Sequence, residues 1–247
     1  LFVKQYEEET NLRCQLVIDQ SGSMLFPIEG TGNLRHPNKL TFAVYASALL
    51  VELLSKGRDA FGLTLLSDGV DFSSQVRSSG THKHYVLQKL QAALDAAATV
   101  KPGQHRGTTN IAESLHQIAE QMHRRSLIVI FTDAFVDEQQ TAQLIDALRH
   151  LRHNRHEVLL FHTYDAAKEL ALDYGNQPTE FIDLETGIRL RLQPDQLAQS
   201  YQKEMERRTS YIKQRAIQYR VDYQPVDVSL GFEPVMLPFL IKRARCN

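Results

Sequence analysis

Cys14-Gln15-Leu16-Val17-Ile18-Asp19-Gln20-Ser21-Gly22-Ser23-Met24 is the stretch that decides the fold: an apolar run of strand length that stops at a carboxylate and two serines. A strand buried on both faces of a parallel sheet reads this way, without polar alternation. Counting from Arg13 to Ile18, it is the first of four such runs, followed by Ala60 to Leu66, Ser126 to Thr132 and Glu157 to Thr163. The stretches Lys39 to Ser55, Tyr85 to Ala98, Ile111 to His123 and Glu138 to Leu151 separate them, with apolar residues three and four apart as amphipathic helices require. This alternation predicts an α/β fold, a Rossmann-like doubly wound and mostly parallel sheet with helices on both faces.

Gly69 to Val76 follows the second run too closely for a helical crossover, so it is expected to pair antiparallel at an edge. Further on, Glu180 to Asp183 and Ile188 to Leu192 flank Leu184-Glu185-Thr186-Gly187, a second hairpin whose Gly suits a turn. Pro194 and Asp195 open a long charged helix through about Ala216. An alternating strand, Gln218 to Tyr223, and a last helix, Ser229 to Arg243, complete the pattern. With no linker or repeat, residues 1–247 read as one domain: a core of about 13–164 and a C-terminal hairpin-helix-strand extension of about 165–247.

Composition narrows the function classes. At 43% hydrophobic and 23% charged residues the chain is an ordinary globule, which excludes disordered and collagenous classes. Lys and Arg (28) balance Asp and Glu (29), so no broad positive field draws a nucleic-acid backbone. No apolar run approaches the roughly 18 residues of a membrane span. Cys14 and Cys246 make no disulfide framework, which favours a reducing, cytoplasmic location. Leu1 is not an initiator methionine and no secretory leader follows it, so a missing upstream segment is expected.

The chemistry lies at strand ends. In an open α/β sheet, ligands bind at the carboxyl edge where the strand order reverses, so Asp19, Ser21 and Ser23 belong to that rim. Leu127-Ile128-Val129-Ile130-Phe131-Thr132 delivers Asp133 to the same rim. Two carboxylates brought together in a partly buried site raise each other's pKa, a cost that a cation removes. Arg106-Gly107-Thr108-Thr109-Asn110 adds hydroxyls ahead of the next helix. An all-oxygen set with two charges suits a hard divalent ion, Mg²⁺ most simply, Mn²⁺ or Ca²⁺ alternatively. A coordination position left to water could accept a carboxylate from a partner.

Asp19, Ser21 and Ser23 as Asp-x-Ser-x-Ser, the Thr of Gly107-Thr108-Thr109-Asn110, and Thr132-Asp133 together resemble the metal-ion-dependent adhesion site of von Willebrand factor A domains. The resemblance implies Ser21 and Ser23 as direct ligands, Thr109 (with Thr108 as the alternative) as the third-loop ligand, and Asp19 and Asp133 acting directly or through water. Ala134 replaces the Gly usual after the last Asp. Val3-Lys4-Gln5-Tyr6-Glu7-Glu8-Glu9 and Phe181-Ile182-Asp183-Leu184-Glu185-Thr186-Gly187 look like the bacterial family called domain of unknown function 58, a von Willebrand A-like group often found beside MoxR-type AAA+ ATPases. That resemblance implies cytosolic protein interaction, as an adaptor in assembly or maturation of other proteins, with a MoxR-type ATPase the first candidate partner.

Blander readings stand beside these. Asn110-Ile111-Ala112-Glu113 has capping-box spacing. His150, His153 and His156 alternate with Arg149, Arg152 and Arg155, which reads as a solvated basic helix end rather than a metal face. Gly30-Thr31-Gly32 echoes a dinucleotide fingerprint, but Arg35 stands at the third glycine position. Arg35 and His36, on the long loop after the serine motif, are instead partner-contact candidates. Glu204, Arg207 and Arg208 read as a solvated helix face, and the Lys242-Arg243-Ala244-Arg245 end as a solvated tail.

The chief catalytic alternative is a Mg²⁺-dependent phosphatase or hydrolase with Asp19 as nucleophile. Haloacid dehalogenase-like enzymes place an acid-base carboxylate two residues on, where this chain has Ser21, so no catalysis is expected. Nor is there a Gly-x-Ser-x-Gly elbow or a nucleotide-phosphate loop.

Overall fold

A computed structural model describes residues 12–28, 33–100, 111–134, 137–184 and 187–244. The strands are β1 (Arg13–Asp19), β2 (Ala60–Leu66), β3 (Val70–Ser73), β4 (Leu127–Thr132), β5 (Glu157–Tyr164), β6 (Thr179–Ile182), β7 (Arg189–Leu192) and β8 (Asp222–Asp227). The α-helices are α1 (Lys39–Lys56), α2 (Gly80–Ala98), α3 (Ile111–Gln121), α4 (Glu138–His153), α5 (Pro194–Gln218) and α6 (Phe232–Ala244). One six-stranded sheet runs β3-β2-β1-β4-β5-β8, and β6 with β7 forms a separate antiparallel hairpin. Every neighbour pair in the large sheet is parallel except β2 with the edge strand β3.

The unbroken apolar strands are explained by two buried faces. Leu16 and Ile18 of β1, with Val129 and Phe131 of β4, join Phe42 of α1 and Phe239 of α6 in one core. The intervening Val17, Ile128 and Ile130 point the other way, onto Leu144 and Leu148 of α4 and Ile212 of α5. Each fully buried aliphatic or aromatic side chain contributes about 1.5–3 kcal/mol relative to exposure, so both faces need their helices. Asn38 caps α1 by accepting a hydrogen bond from the Thr41 N–H at 2.6 Å, and Asp137 caps α4 by accepting from Gln140 N–H at 2.7 Å. Among the described residues no helix is long and apolar enough to cross a membrane.

Boundaries differ from expectation where tertiary contacts override the local pattern. Residues 218–223 do not form one strand: α5 continues to Gln218, and the chain reverses through Arg220 at φ 58°. There Val221 N–H donates to Ala216 O at 2.8 Å, a left-handed helix end, and β8 starts only at Asp222. Pro225 is tolerated because β8 is an edge strand. At the other boundaries, α2 begins at Gly80, where the Ser79 hydroxyl accepts from His82 N–H, and Gly231 at φ 85° delays α6 to Phe232.

His156 is also a correction. It is not part of a solvated helix end but fully buried, just ahead of β5, with its backbone N–H donating to Leu151 O. Among the described residues, its ring nitrogens make no hydrogen bond of good geometry. Burial therefore lowers its pKa, although the nearby Ala119 and Ser126 backbone favours the charged form. The unfolded chain keeps the ordinary value of 6.5 and takes up the proton first as pH falls. This residue's contribution is thus intact above about 6.5 and lost below it. Urea unfolding of parent and His156→Phe against pH should show a parent-minus-variant stability difference that declines below pH 6.5. A difference independent of pH would contradict the assignment.

Candidate functional site

The strand order reverses between β1 and β4: from β1 the chain builds β2 and β3 on one side, then β4 and β5 on the other. The carboxyl ends of these two adjacent strands border the crevice, and the register pairs Ile18 with Phe131. Asp19 and Thr132 end the two strands side by side, and the Thr132 hydroxyl donates to Asp19 Oδ2 at 2.8 Å. Ser21 N–H donates to Asp19 Oδ1 at 2.9 Å, which folds residues 19–21 into a tight turn. This turn brings the Ser21 and Ser23 hydroxyls within 3.0 Å of each other, with Ser23 in the 3₁₀ turn Gly22–Leu25.

Asp133 follows β4 and is buried. Ala134, in place of the expected Gly, adopts φ 47° and donates its N–H to the Thr132 hydroxyl at 3.0 Å. The turn therefore forms with Ala, held by a side chain that also touches Asp19. Burial first, and Asp133 second, push the Asp19 carboxyl up to about 6. Asp133, at the end of the neighbouring strand, therefore acts on Asp19 by charge.

Three participants were not anticipated. Lys39, the first residue of α1, is fully buried, and its ammonium donates to Asp133 Oδ2 at 2.7 Å and Glu169 Oε1 at 2.5 Å. Burial alone would lower its pKa, but Asp133 and then Glu169 raise it above the ordinary lysine value. Glu169 lies on the π-helical turn Ala166–Leu170, where its other oxygen accepts from Asp165 N–H at 2.8 Å. Burial raises Glu169 despite Lys39. His162 of β5 is pushed down to about 4 by burial, hence neutral. Its Nε2–H then donates to Asp133 O at 2.8 Å while Nδ1 accepts from the Tyr223 hydroxyl at 2.7 Å.

Of the sequence candidates, Asp19, Ser21, Ser23 and Asp133 converge. Thr109, with Thr108 and Asn110, lies outside the described residues, as do Gly30-Thr31-Gly32 and Val3 to Glu9. Arg35 and His36 are exposed on a loop tied down where Phe232 N–H donates to Leu34 O at 3.0 Å. Glu204, Arg207 and Arg208 form an ion-pair network on α5, with Glu138 joined to Arg207; Arg207 is exposed, whereas Glu204 and Arg208 are half-buried and Arg208 lines the cavity that also holds Asp133 and Glu169.

Among the described residues, no three or more His, Cys, Asp or Glu side chains gather as a cation cage. The donor set is instead carboxylate plus hydroxyl, which fits a hard divalent ion. Among the described residues, Asp133 and Glu169 share the Lys39 ammonium, and Asp133 raises Asp19, so a divalent ion would offset the repulsion between the two strand-end carboxylates. The elevated Asp19 marks the carboxylate that such an ion would relieve.

The sequence matches the family described as "Protein of unknown function DUF58" over residues 1–211. No curated protein matches it. Among solved structures, the PilB minor pilin from Streptococcus sanguinis is 11% identical and aligns over 98% of this chain and 62% of its own, with TM-score 0.52. BatB, a conserved hypothetical protein from Bacteroides thetaiotaomicron, is 14% identical over 85% of this chain and 98% of its own, with TM-score 0.45. The VWA domain of SpRpn10 is 13% identical over 63% of this chain and 76% of its own, with TM-score 0.37. The likeness to the minor pilin, at 11% identity, is one of fold alone.

Proposed function

Since the chain belongs to the family described as "Protein of unknown function DUF58" and carries on its α/β fold a strand-end motif that resembles the von Willebrand A adhesion site, we propose that it is a cation-dependent protein-interaction module binding an acidic side chain of a partner. Asp19, Ser21 and Ser23, together with Asp133 and Thr109, would hold Mg²⁺, or alternatively Mn²⁺ or Ca²⁺. When bound, the ion supplies a positive centre for an outside carboxylate. The carrying observation is the convergence of Asp19, Ser21, Ser23 and Asp133 at the switch point of the sheet, with Asp19 pushed up to about 6. The chain's own groups do the positioning: Thr132 and the Ser21 N–H orient Asp19, and Lys39 orients Asp133.

The reading is of binding and not catalysis. Ser21, which bonds Ser23, stands where a phosphatase of the Asp-nucleophile type needs a second carboxylate. The partner we favour, from the family resemblance, is a MoxR-type AAA+ ATPase met in the cytoplasm, with Arg35 and His36 as further contacts. The test is capture of a purified MoxR-type ATPase by the immobilised chain, in Mg²⁺ and in chelator. Retention in Mg²⁺, release by chelator and no retention by Asp19→Ala are expected. Retention indifferent to chelator would refute cation dependence. Turnover of a simple phosphate ester that vanishes in Asp19→Ala would favour the hydrolase.

A further inference from the structure

The last helix, α6, is apolar on both of its faces. Val235, Met236 and Phe239 are buried, and the helix is seated by Phe239 against the Phe161 ring, with centroids 5.0 Å apart, and by Phe232 against Phe42 at 5.4 Å. The opposite face carries Pro234, Leu237, Pro238 and Ile241, all exposed, with Leu237 at 50% and Ile241 at 46%. A helix that closes a soluble domain turns charge to water, whereas one that is apolar all round is covered on both sides. Single exposed apolar residues need no explanation, but a contiguous apolar strip marks an interaction surface. Charge enters this face only at its two ends, as Glu233 in the first turn and the exposed Lys242 in the last.

We propose that the outer face of α6 docks a second copy of this chain, the two helices running antiparallel about a two-fold axis that passes between Leu237 and Pro238. Such an interface is isologous, so the face must complement itself, and it does. Pro234 of one copy meets Ile241 of the other, and Leu237 meets Pro238. Each branched side chain then lies beside a proline ring, whose burial costs no side-chain entropy. Glu233 and Lys242 stand about 13 Å apart along the helix, so each end of the antiparallel pair carries one of each sign. A parallel pair would gather like charges at each end. An anionic lipid surface suits the face less well, because it would repel Glu233. One helix face is small beside the roughly 1,600 Å² of a stable complex, so the pairing belongs to the weak, reversible class. It does not depend on a cation at the strand-end site.

The test is sedimentation velocity in chelator, with the chain at about 1 µM to 1 mM. A monomer–dimer equilibrium with a dissociation constant on the order of 100 µM is expected. Leu237→Asp sets two carboxylates beside the axis and should stay monomeric throughout. Glu233→Lys and Lys242→Glu each place like charges at both ends of the pair and should weaken it about fivefold. Combining the two reversals restores opposite signs at each end and should return the affinity to within about twofold of the parent's. A parent chain that is monomeric up to about 1 mM overturns the proposal, as does self-association that Leu237→Asp leaves untouched. A combined variant no better than the single reversals overturns the antiparallel arrangement. If Leu237→Asp does not fold, the two reversals at exposed positions and their combination decide. Binding of the parent to phosphatidylserine vesicles without self-association would assign the face to lipid and also overturn the proposal.

Discussion

Lys39→Met is expected to cost about 3–5 kcal/mol of folding stability, the range for removing one partner of a buried ion pair. The side chain of Lys39 is fully buried, and its partners Asp133 and Glu169 are 5% and 14% exposed. Neither carboxylate can turn to bulk water when the ammonium is lost. Methionine keeps most of the apolar stem and removes the ammonium, which lies 5.8 Å from the centroid of the Phe26 ring, so the loss reports charge rather than a cavity. Denaturant unfolding in chelator, parent against variant, measures it. A loss below about 1 kcal/mol, typical of an exposed pair, would mean that the cluster does not hold the site together.

Asp19→Ala is expected to weaken Mg²⁺ binding by at least about 100-fold while leaving the fold intact. Residues that merely support a metal ligand are worth roughly 10–100-fold, and a charged group in contact with the ion is expected at or above the top of that range. The stability effect has two opposing parts. Removing the carboxylate strips an acceptor from the Thr132 hydroxyl and the Ser21 N–H, at about 1 kcal/mol for each hydrogen bond. It also removes a buried acid whose charged form is disfavoured, as its value of about 6 shows. Calorimetric titration together with thermal unfolding in chelator separates the two effects. A variant that binds Mg²⁺ within twofold of the parent would remove Asp19 from the ligand set.

Much of this architecture is legible in the amino-acid sequence because burial on two faces leaves an unmistakable trace. Apart from the buried Gln15, Val17, Ile128 and Ile130 have no polar neighbours on their strands until the sheet edge, so β1 and β4 announce themselves. The carboxylates at their ends follow from the same reasoning, since a parallel sheet has one ligand edge. The switch from α5 to β8 is not legible, because residues 218–223 suit a strand while the left-handed Arg220 and the Ala216 carbonyl settle the boundary through geometry. His156 misleads for a related reason: a spacing of three suggests one helical face, yet α4 ends at His153 and the later residue turns inward.

The site's support was the less visible part. Lys39 carried a signal, a cation at the first helical position where the dipole favours anions, but helix periodicity draws attention away from it. Glu169 carried none: only the π-helical turn after β5 brings it to the lysine, and no spacing rule connects residues so far apart. His162 sits inside an apolar strand, where its bonds to Asp133 O and Tyr223 depend on the pairing of β5 with β4 and β8. Ligand-type residues cluster near one strand end and are found by motif, whereas the groups that hold them come from wherever the fold delivers them.

The most direct measurement is the anomalous difference map of crystals of this chain grown with Mn²⁺. One strong peak within about 2.5 Å of oxygens from Asp19, Ser21 and Ser23, with Lys39 still bonded to Asp133, is the predicted result. Manganese-containing crystals with no peak at those three side chains, or with the ion seated elsewhere, would contradict it.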